Sequence, residues 1–320
     1  MEQQITLTEF ARDILQGLSS ENKYLSSKYF YDDEGSRIFQ DIMRMPEYYL
    51  TDCELEIFET QKQDIYEAFR VNGSHFELVE LGAGDGLKTK ILLSHFLQQK
   101  ANFEYMPVDI SNDVIVNLVS ELKKELPKLE TNGKVGDYFK LLGEINKKDN
   151  TPKILLFLGS NIGNFNEEKA ISFLRQLREV MHQNDKLFIG FDLKKDENII
   201  LKAYNDPHGH TAAFNLNLLL RINKELNANF VLEDFQHIET YNPKTGTAKS
   251  HLISLRKQEV FIRNLGEGIS FEKGEPIYME MSQKYDEEMI NHLAKVSGFE
   301  LVRNFFDSRQ YYTNSLWKVK

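Results

Sequence analysis

Residues Val79 to Lys90 read VELGAGDGLKTK, which joins an apolar segment to a glycine-rich loop and then to the start of a helix. A strand, a glycine turn and a helix in this order direct backbone N–H groups and a helix N-terminus toward a ligand. A Walker phosphate loop requires Lys directly after its last glycine, whereas Leu87 separates Gly86 from Lys88. A dinucleotide fingerprint requires its third glycine at the position of Leu87. The spacing therefore argues against both of these phosphate-binding loops.

Short apolar runs alternate with amphipathic helical segments around this loop, which predicts a parallel sheet covered by helices. The helix that starts near Glu167 is expected to be capped by Asn164 or Asn166. The predicted strands are Phe76 to Leu81, Phe103 to Asp109, Lys153 to Leu158 and Lys186 to Asp192.

The pattern differs on either side of this region. Residues 1 to about 70 have the apolar spacing of helices joined by loops. After Asp192, a helix and then antiparallel strands indicate an insertion with its own small sheet. A last helix and a strand pair are expected to return the chain to the edge of the parent sheet. The predicted segments are helix 212–226, strands within 230–261 and 277–285, helix 286–297, and the strand pair 301–306 and 311–319.

Composition limits the classes of function. A chain of 320 residues can bury a substantial apolar core, and a formal net charge of -10 argues against a nucleic-acid partner. Cys53 is the only cysteine, which excludes an internal disulfide and a thiolate zinc cluster and favours a reducing cytoplasm. The N-terminal residues MEQQITLTEF lack the pattern of a signal peptide, and no apolar run is long enough to cross a bilayer. We therefore expect a cytoplasmic protein without a membrane partner.

Acidic residues near the loop indicate an adenosine cofactor. Glu80 ends the strand before the loop, and Asp109 ends the following strand, where a carboxylate can accept both hydroxyls of a ribose. Because the loop lacks a phosphate-binding pattern, S-adenosylmethionine (SAM), which has no phosphate, is favoured. Gly82 and Gly84 would then let the backbone approach the methionine part. The alternative is that the glycines only form a tight turn.

A third element follows where the next strand should end. In Gly136-Asp137-Tyr138, the carboxylate of Asp137 can accept from the adenine amine while Tyr138 covers the ring, although a simple surface turn has the same pattern. His208-Gly209-His210 has no accompanying carboxylate or cysteine pattern, so we expect no metal.

Six longer motifs are more specific than the glycine loop. With them the chain resembles the histidine Nα-methyltransferases of ergothioneine biosynthesis over nearly its whole length. The motifs are KYFYDDEGS (28–36), MPEYY (45–49), FLGSNIGNF (157–165), KAYND (202–206), TAAFN (211–215) and EMS (280–282).

This resemblance implies an α/β fold with a class I, Rossmann-like methyltransferase domain, a mostly parallel sheet and a closing antiparallel hairpin. It also implies a second α+β domain that binds an amino-acid substrate. The expected boundaries are 1–62 and 196–285 for the substrate-binding domain, and 63–195 and 286–320 for the SAM-binding domain. The implied activity is SAM-dependent trimethylation of the α-amine of L-histidine to hercynine, with S-adenosylhomocysteine as the second product. We expect a monomer acting on a small molecule.

The resemblance assigns residues to two groups. By similarity, the cofactor side comprises Glu80, Gly82, Ala83, Gly84, Lys88, Asp109, Asp137 and Tyr138. The amino-acid side comprises Tyr31, Tyr48, Gly159, Asn161, Asn164, Tyr204, Ser250, Glu280 and Ser282. The resemblance implies that Asn164 and Tyr204 hold the substrate carboxylate and that Tyr31 and the Gly159 carbonyl border the amine. The resemblance also implies that Tyr48, Glu280 and Ser282 contact the imidazole. The residues expected to be catalytic are Tyr31, Gly159 and Asn164.

Two departures from the family pattern keep alternatives open. Asn161 stands where Thr is expected, and Ser250 stands where a Met that packs on the histidine side chain is expected. The second change makes the predicted pocket wall smaller and more polar, so N-methylation of another amino acid or of an aromatic amine is an alternative. The tyrosines are otherwise typical half-buried packing residues, and Glu280 would suit the solvent face of a strand. A SAM-binding regulatory protein without catalysis is the alternative of another class.

Overall fold

The computed structural model describes residues 7–70, 75–145 and 151–320, so Met1 to Thr6 of the N-terminal stretch lie outside the described residues. The helices are α1 (Glu9–Leu18), α2 (Asp33–Met43), α3 (Tyr49–Phe69), α4 (Thr89–Gln98), α5 (Asn112–Glu125), α6 (Tyr138–Ile145), α7 (Glu167–Val180), α8 (Glu197–Tyr204), α9 (His210–Leu226) and α10 (Glu287–Val296).

The strands follow the same chain order. They are β1 (Phe76–Leu81), β2 (Phe103–Asp109), β3 (Glu130–Thr131), β4 (Lys134–Val135), β5 (Lys153–Phe157), β6 (Lys186–Asp192), β7 (Phe235–Asn242), β8 (Thr247–Ser254), β9 (Gln258–Ile262), β10 (Glu267–Phe271), β11 (Pro276–Gln283), β12 (Phe299–Phe306) and β13 (Tyr312–Val319).

The chain divides into two compact units. The larger unit consists of Leu50–Lys194 and Gln283–Lys320, and the smaller unit consists of Met1–Tyr49 and Lys195–Ser282. Residues 50–62, which the sequence analysis assigns to the substrate-binding domain, belong here to the larger unit. The reason is apolar packing, because Phe58 on α3 stacks on Phe188 of β6 with ring centroids 6.2 Å apart.

The larger unit is built on a sheet with strand order β12-β13-β6-β5-β1-β2-β3, and β4 also pairs with β2. Neighbours from β6 to β2 are parallel, whereas β13 is antiparallel to both β6 and β12. The predicted parallel sheet and closing hairpin are therefore confirmed. The core strands are buried along nearly their whole length, as expected for a parallel sheet covered on both faces.

The helix after β5 settles which asparagine acts as its cap. The side chain of Asn166 accepts a hydrogen bond from the backbone N–H of Lys169 at 2.9 Å. Asn164 instead ends a short 3-10 helix, Asn161–Asn164, that precedes α7. Asn166 thus satisfies one of the free N–H groups of the first turn of α7.

The smaller unit has its own apolar core. Phe30, Phe214, Leu218, Leu252 and Met279 belong to one buried cluster. Its strands form a three-stranded sheet of order β11-β8-β7 and a separate β9–β10 pair. β7 and β8 pair antiparallel, as the sequence predicts for strands within 230–261, whereas β10 has no signal in the sequence because its glutamate and glycine interrupt the alternation of apolar residues.

One motif of the smaller unit has a structural explanation. Asp32 accepts hydrogen bonds from the backbone N–H of Gly35 at 2.8 Å and from Nδ2 of Asn217 at 2.8 Å. It therefore caps α2 and ties that helix to α9. Across the described ranges, no helix has the length and apolarity needed to cross a membrane.

Candidate functional site

The glycine loop of the larger unit follows β1 and has a backbone that favours glycine. Gly82, Gly84 and Gly86 have φ values of 72°, 55° and 64°. The N–H of Gly82 donates to the carbonyl of Val108 on β2 at 2.8 Å, which holds the loop at the ends of both strands. A Cβ at Gly86 would lie 2.6 Å from Leu118, so larger residues would clash there. The turn itself requires glycine at these positions.

Acidic and aromatic side chains predicted on the cofactor side lie together beside this loop. Asp109 at the end of β2 accepts from the N–H of Ser111 at 3.0 Å, and its other oxygen is 3.4 Å from the N–H of Gly84. The hydroxyl of Tyr138 lies 3.0 Å from where a Cβ at Gly82 would be. Burial, followed by the negative charges of Asp109 and Asp137, raises the pKa of Tyr138 to about 12. Its phenol is therefore neutral at physiological pH.

Asp137 also has a structural role. One of its oxygens accepts from the N–H groups of Phe139 and Lys140, both at 3.1 Å, and so caps the start of α6. These bonds fix the carboxylate beside Tyr138. A simple turn would make the same two bonds, so the contact of Asp137 with the adenine amine stays a prediction.

Glu80 lies beneath the loop rather than on its surface. It is buried, and its oxygens accept hydrogen bonds from Thr89 Oγ1 at 2.8 Å and from the hydroxyl of Tyr105. Burial raises the pKa of Glu80 to about 7, although both hydrogen bonds oppose this shift. The two bonds join β1 to the first residue of α4 and to β2. Glu80 is thus placed to brace the loop from within the unit.

The raised pKa of Glu80 predicts a pH-dependent stability. The folded protein holds this proton more tightly than the unfolded chain, so the stabilisation is complete below about pH 4.5 and is lost as the pH rises through about 7. The expected loss approaches ~3 kcal/mol of unfolding free energy. Glu80→Gln keeps an amide that can bond Thr89 and Tyr105 but cannot titrate. Chemical denaturation at pH 5 and pH 8 should show a smaller difference for the variant, and equal differences would contradict the assignment.

A second turn of the larger unit follows β5. Gly159 and Ser160 both have left-handed backbones, with φ values of 71° and 57°. The hydroxyl of Ser160 accepts from the N–H of Asp192 at 3.0 Å, and the Ser160 carbonyl accepts from the N–H of Gly163 at 2.8 Å. A left-handed backbone is unfavourable for a non-glycine residue such as Ser160 unless its surroundings fix it, which these bonds do. Asn161 and Asn164 are exposed on the short helix that follows.

One buried residue in this region is not indicated by the sequence pattern. Glu54 on α3 is fully buried and contacts both Lys88 and the N–H of Gly159. A glutamate within an amphipathic helix normally lies on its solvated face, so the sequence carried no signal for its burial.

Five of the residues predicted on the amino-acid side form a cluster in the smaller unit. The rings of Tyr48 and Tyr204 are 6.2 Å apart, and Phe39 contacts both Tyr31 and Tyr48 edge-on. The hydroxyl of Tyr204 lies 3.0 Å from Ser282 Oγ. Desolvation, and then the negative charge of Glu280, raises the pKa of Tyr31 well above its ordinary value. Tyr31 is therefore a neutral phenol, although half of its surface is exposed.

Ser250 makes a contact that the sequence alone does not indicate. It is buried on β8, and its hydroxyl donates to Oε2 of Glu239, the residue opposite it on β7, at 2.5 Å. The position at which the resemblance expects Met thus holds a polar pair. At the junction between α8 and α9, the His208 and His210 rings are 5.9 Å apart, and within the described ranges no three His, Cys, Asp or Glu side chains form a metal-binding group.

Comparison with known proteins identifies the family. The profile described as "Histidine-specific methyltransferase, SAM-dependent" matches residues 10–319. The chain belongs to this family. It is 33% identical over 296 residues to the histidine N-alpha-methyltransferase of Mycobacterium tuberculosis, covering 92% of this chain and 90% of that protein. It is 34% identical over 285 residues to the enzyme of the same name from Mycolicibacterium smegmatis, covering 89% and 87%. With ergothioneine biosynthesis protein 1 of Schizosaccharomyces pombe it shares 27% identity, over 88% of this chain and 37% of that protein.

Membership of the histidine-specific methyltransferase family makes this chain a SAM-dependent methyltransferase with a class I, Rossmann-like α/β fold. The expected cofactor is thereby confirmed, and the dinucleotide interpretation is excluded. The residues present fit SAM. A Cβ at Gly82 would fill the space beside the Tyr138 hydroxyl, and Asp109 supplies a carboxylate at the end of β2. The assignment of individual residues to the cofactor or the amino acid stays a prediction.

Proposed function

We propose that this enzyme methylates the α-amine of L-histidine three times to give hercynine, a step toward ergothioneine. The observation that carries the proposal is the cluster of Tyr31, Tyr48, Tyr204, Glu280 and Ser282 in the smaller unit. A carboxylate such as Glu280 can accept from an imidazole N–H, and a phenol can donate to or accept from the other ring nitrogen. Family membership and the names of the relatives support the same substrate.

The protein residues would act mainly by binding and positioning. SAM supplies an electrophilic methyl group when bound. We assign Gly82, Ala83, Gly84, Lys88, Asp109, Asp137 and Tyr138 to its site, with Glu80 bracing the loop from beneath. Asn164 and Tyr204 would hold the substrate carboxylate, and the Gly159 carbonyl would border the amine. Neutral donors can hold a buried carboxylate if they satisfy all of its acceptor sites.

The α-amine must lose its proton before it can attack. A desolvated site favours the neutral amine over the ammonium form. Because its pKa is raised well above the ordinary value, Tyr31 would orient the amine and pass its proton to water rather than act as a phenolate base. Most of the rate enhancement would then come from orientation and exclusion of water.

Tyr31→Phe tests this role. It should lower turnover by about 10- to 100-fold because the amine loses a hydrogen-bond partner that orients it. The affinity for S-adenosylhomocysteine should stay unchanged in calorimetry. Tyr66→Phe, whose ring packs on Phe96 in the larger unit, is the matched control and should retain full turnover. An equal loss of S-adenosylhomocysteine binding in Tyr31→Phe would overturn the assignment.

The experiment for the whole proposal is mass spectrometry of the purified protein with SAM and each amino acid separately. Trimethylated histidine as the main product is the expected result. The alternative, another amino acid or an aromatic amine as substrate, is favoured by the polar Ser250–Glu239 pair. Methylation of tryptophan with unmodified histidine would support that alternative. Binding of SAM without any product in a single turnover would instead indicate a regulatory protein. We further propose a monomeric, cytoplasmic enzyme, and light scattering tests its oligomeric state.

A further inference from the structure

Glu54 of α3 is the centre of a buried polar cluster in the larger unit. Its Oε1 accepts from the hydroxyl of Tyr312 at 2.9 Å and from Nδ2 of Asn314 at 2.7 Å. Its Oε2 accepts from the backbone N–H of Gly159 at 3.0 Å and from Nζ of Lys88. Burial of a carboxylate is unfavourable unless it is paired and hydrogen-bonded. Four donors from three parts of the unit, namely β13, the turn after β5 and the glycine loop, meet that requirement.

The cluster has only one consistent arrangement of donors and acceptors. A carboxylate only accepts, so every neighbour must direct an N–H or O–H group toward it. Burial, followed by the negative charge of Glu54, raises the pKa of Tyr312 well above its ordinary value, which keeps this phenol a donor. Glu54 therefore fixes the orientation of all four groups.

Two of these four groups belong to the loops that the proposed function assigns to methyl transfer. Lys88 is the residue before α4 in the glycine loop after β1, and Gly159 begins the left-handed turn after β5. Since β1 and β5 are adjacent and parallel, these loops lie at the same edge of the sheet. The Lys88 side chain is 22% exposed whereas that of Glu54 is fully buried, so Lys88 can contact a ligand while Glu54 cannot reach one.

We propose that Glu54 is a positioning residue for methyl transfer. Its carboxylate holds the Lys88 ammonium in place to bind the SAM carboxylate. It also fixes the backbone N–H of Gly159, and the carbonyl of the same residue borders the substrate amine. The inference rests on the proposed function, which places Lys88 on the cofactor side and Gly159 on the amine side. A displacement of about 1 Å at such positions can reduce turnover about 100-fold.

Glu54→Gln is the first test. Gln has the size of Glu but carries no charge and has one acceptor oxygen instead of two, so Lys88 loses its ionic partner and shares the remaining oxygen with the N–H of Gly159. We expect the Kd for S-adenosylhomocysteine to rise about tenfold and kcat at saturating SAM to fall at least about tenfold. Glu59→Gln, an exposed residue five positions along the same helix, is the matched control and should leave both values unchanged. Values are expressed per binding-competent molecule, as counted by calorimetry.

A double-mutant cycle separates positioning from a general structural role. Lys88→Met should weaken S-adenosylhomocysteine binding, and Glu54→Gln combined with Lys88→Met should weaken it no further, because Glu54 acts on this ligand through Lys88. The double variant should still have a lower kcat than Lys88→Met, because the N–H of Gly159 then bonds a neutral amide oxygen in place of the carboxylate. The double variant can be compared with Lys88→Met even if Glu54→Gln alone does not fold, since the double variant leaves no unpaired charge.

The inference is overturned if Glu54→Gln folds and retains wild-type Kd and kcat per competent molecule, even with lower thermal stability. It is also overturned if the effects of Glu54→Gln and Lys88→Met on binding are additive, or if the double variant turns over as fast as Lys88→Met. Failure of the proposed function is distinguishable, because the wild-type protein itself would then leave histidine unmodified.

Discussion

Replacement of Asp109 with alanine is expected to weaken S-adenosylhomocysteine binding by about 100- to 1,000-fold, because two hydrogen bonds to a charged acceptor are worth roughly 3–4 kcal/mol. Asp109 ends β2 beside the glycine loop, and its oxygens lie 3.0 Å from the N–H of Ser111 and 3.4 Å from that of Gly84. A carboxylate in this position is suited to accept both ribose hydroxyls. Isothermal titration calorimetry measures the change directly.

Two further variants distinguish ligand contact from loop support. Asp109→Asn keeps an oxygen for the N–H of Ser111 but has no charge, so its affinity should lie between wild type and Asp109→Ala. Asp113→Ala removes an exposed carboxylate from the first turn of α5 and should bind normally. If Asp109→Ala binds within about threefold of wild type, the ribose assignment is wrong. If Asp109→Asn is as weak as Asp109→Ala, the charge itself accounts for the contribution.

The parallel sheet was predictable because its strands are buried on both faces. Such strands have nearly continuous apolar sequences, as in Lys153–Phe157, and β1, β2 and β6 also have the bounds that their sequences predict. Short or interrupted strands gave weaker signals. β3 and β4 have two residues each, and β10 contains a glycine and a glutamate, so none of them has a detectable alternation.

Residue types alone predict the candidate site only where a residue is unusual for its local structure, and the residues on the amino-acid side are predicted by the family resemblance instead. Glycines after a strand and an aspartate at a strand end are such signals, and they led to Gly82 and Asp109. Glu54 gave no signal, because its partners Tyr312 and Asn314 are more than 250 positions away in the sequence. The Ser250–Glu239 bond depends on the register of β7 and β8, which a single strand sequence does not contain.

Replacement of Lys284 with methionine is expected to lower the free energy of unfolding by about 3–5 kcal/mol, because it removes the ion-pair partner of a buried carboxylate. Nζ of Lys284 lies 2.7 Å from Oδ2 of Asp192, and both side chains are fully buried. The pair joins the two segments at which the chain leaves the larger unit and returns to it. Two backbone hydrogen bonds join the same segments. The N–H of Tyr285 donates to the carbonyl of Asp192, and the N–H of Lys194 donates to the carbonyl of Tyr285.

The same two segments provide a matched control. Lys194 pairs with Asp286 at 2.8 Å, but these side chains are 26% and 44% exposed. Lys194→Met should therefore cost at most about 1 kcal/mol. Trp317 is the only tryptophan and is buried in the larger unit, so its fluorescence during urea unfolding follows this unit. A second substitution, Asp192→Leu, in the Lys284→Met background should restore part of the stability, because it removes the buried charge. Equal losses for Lys284→Met and Lys194→Met would mean that solvent reaches the buried pair and that it does not hold the two segments together.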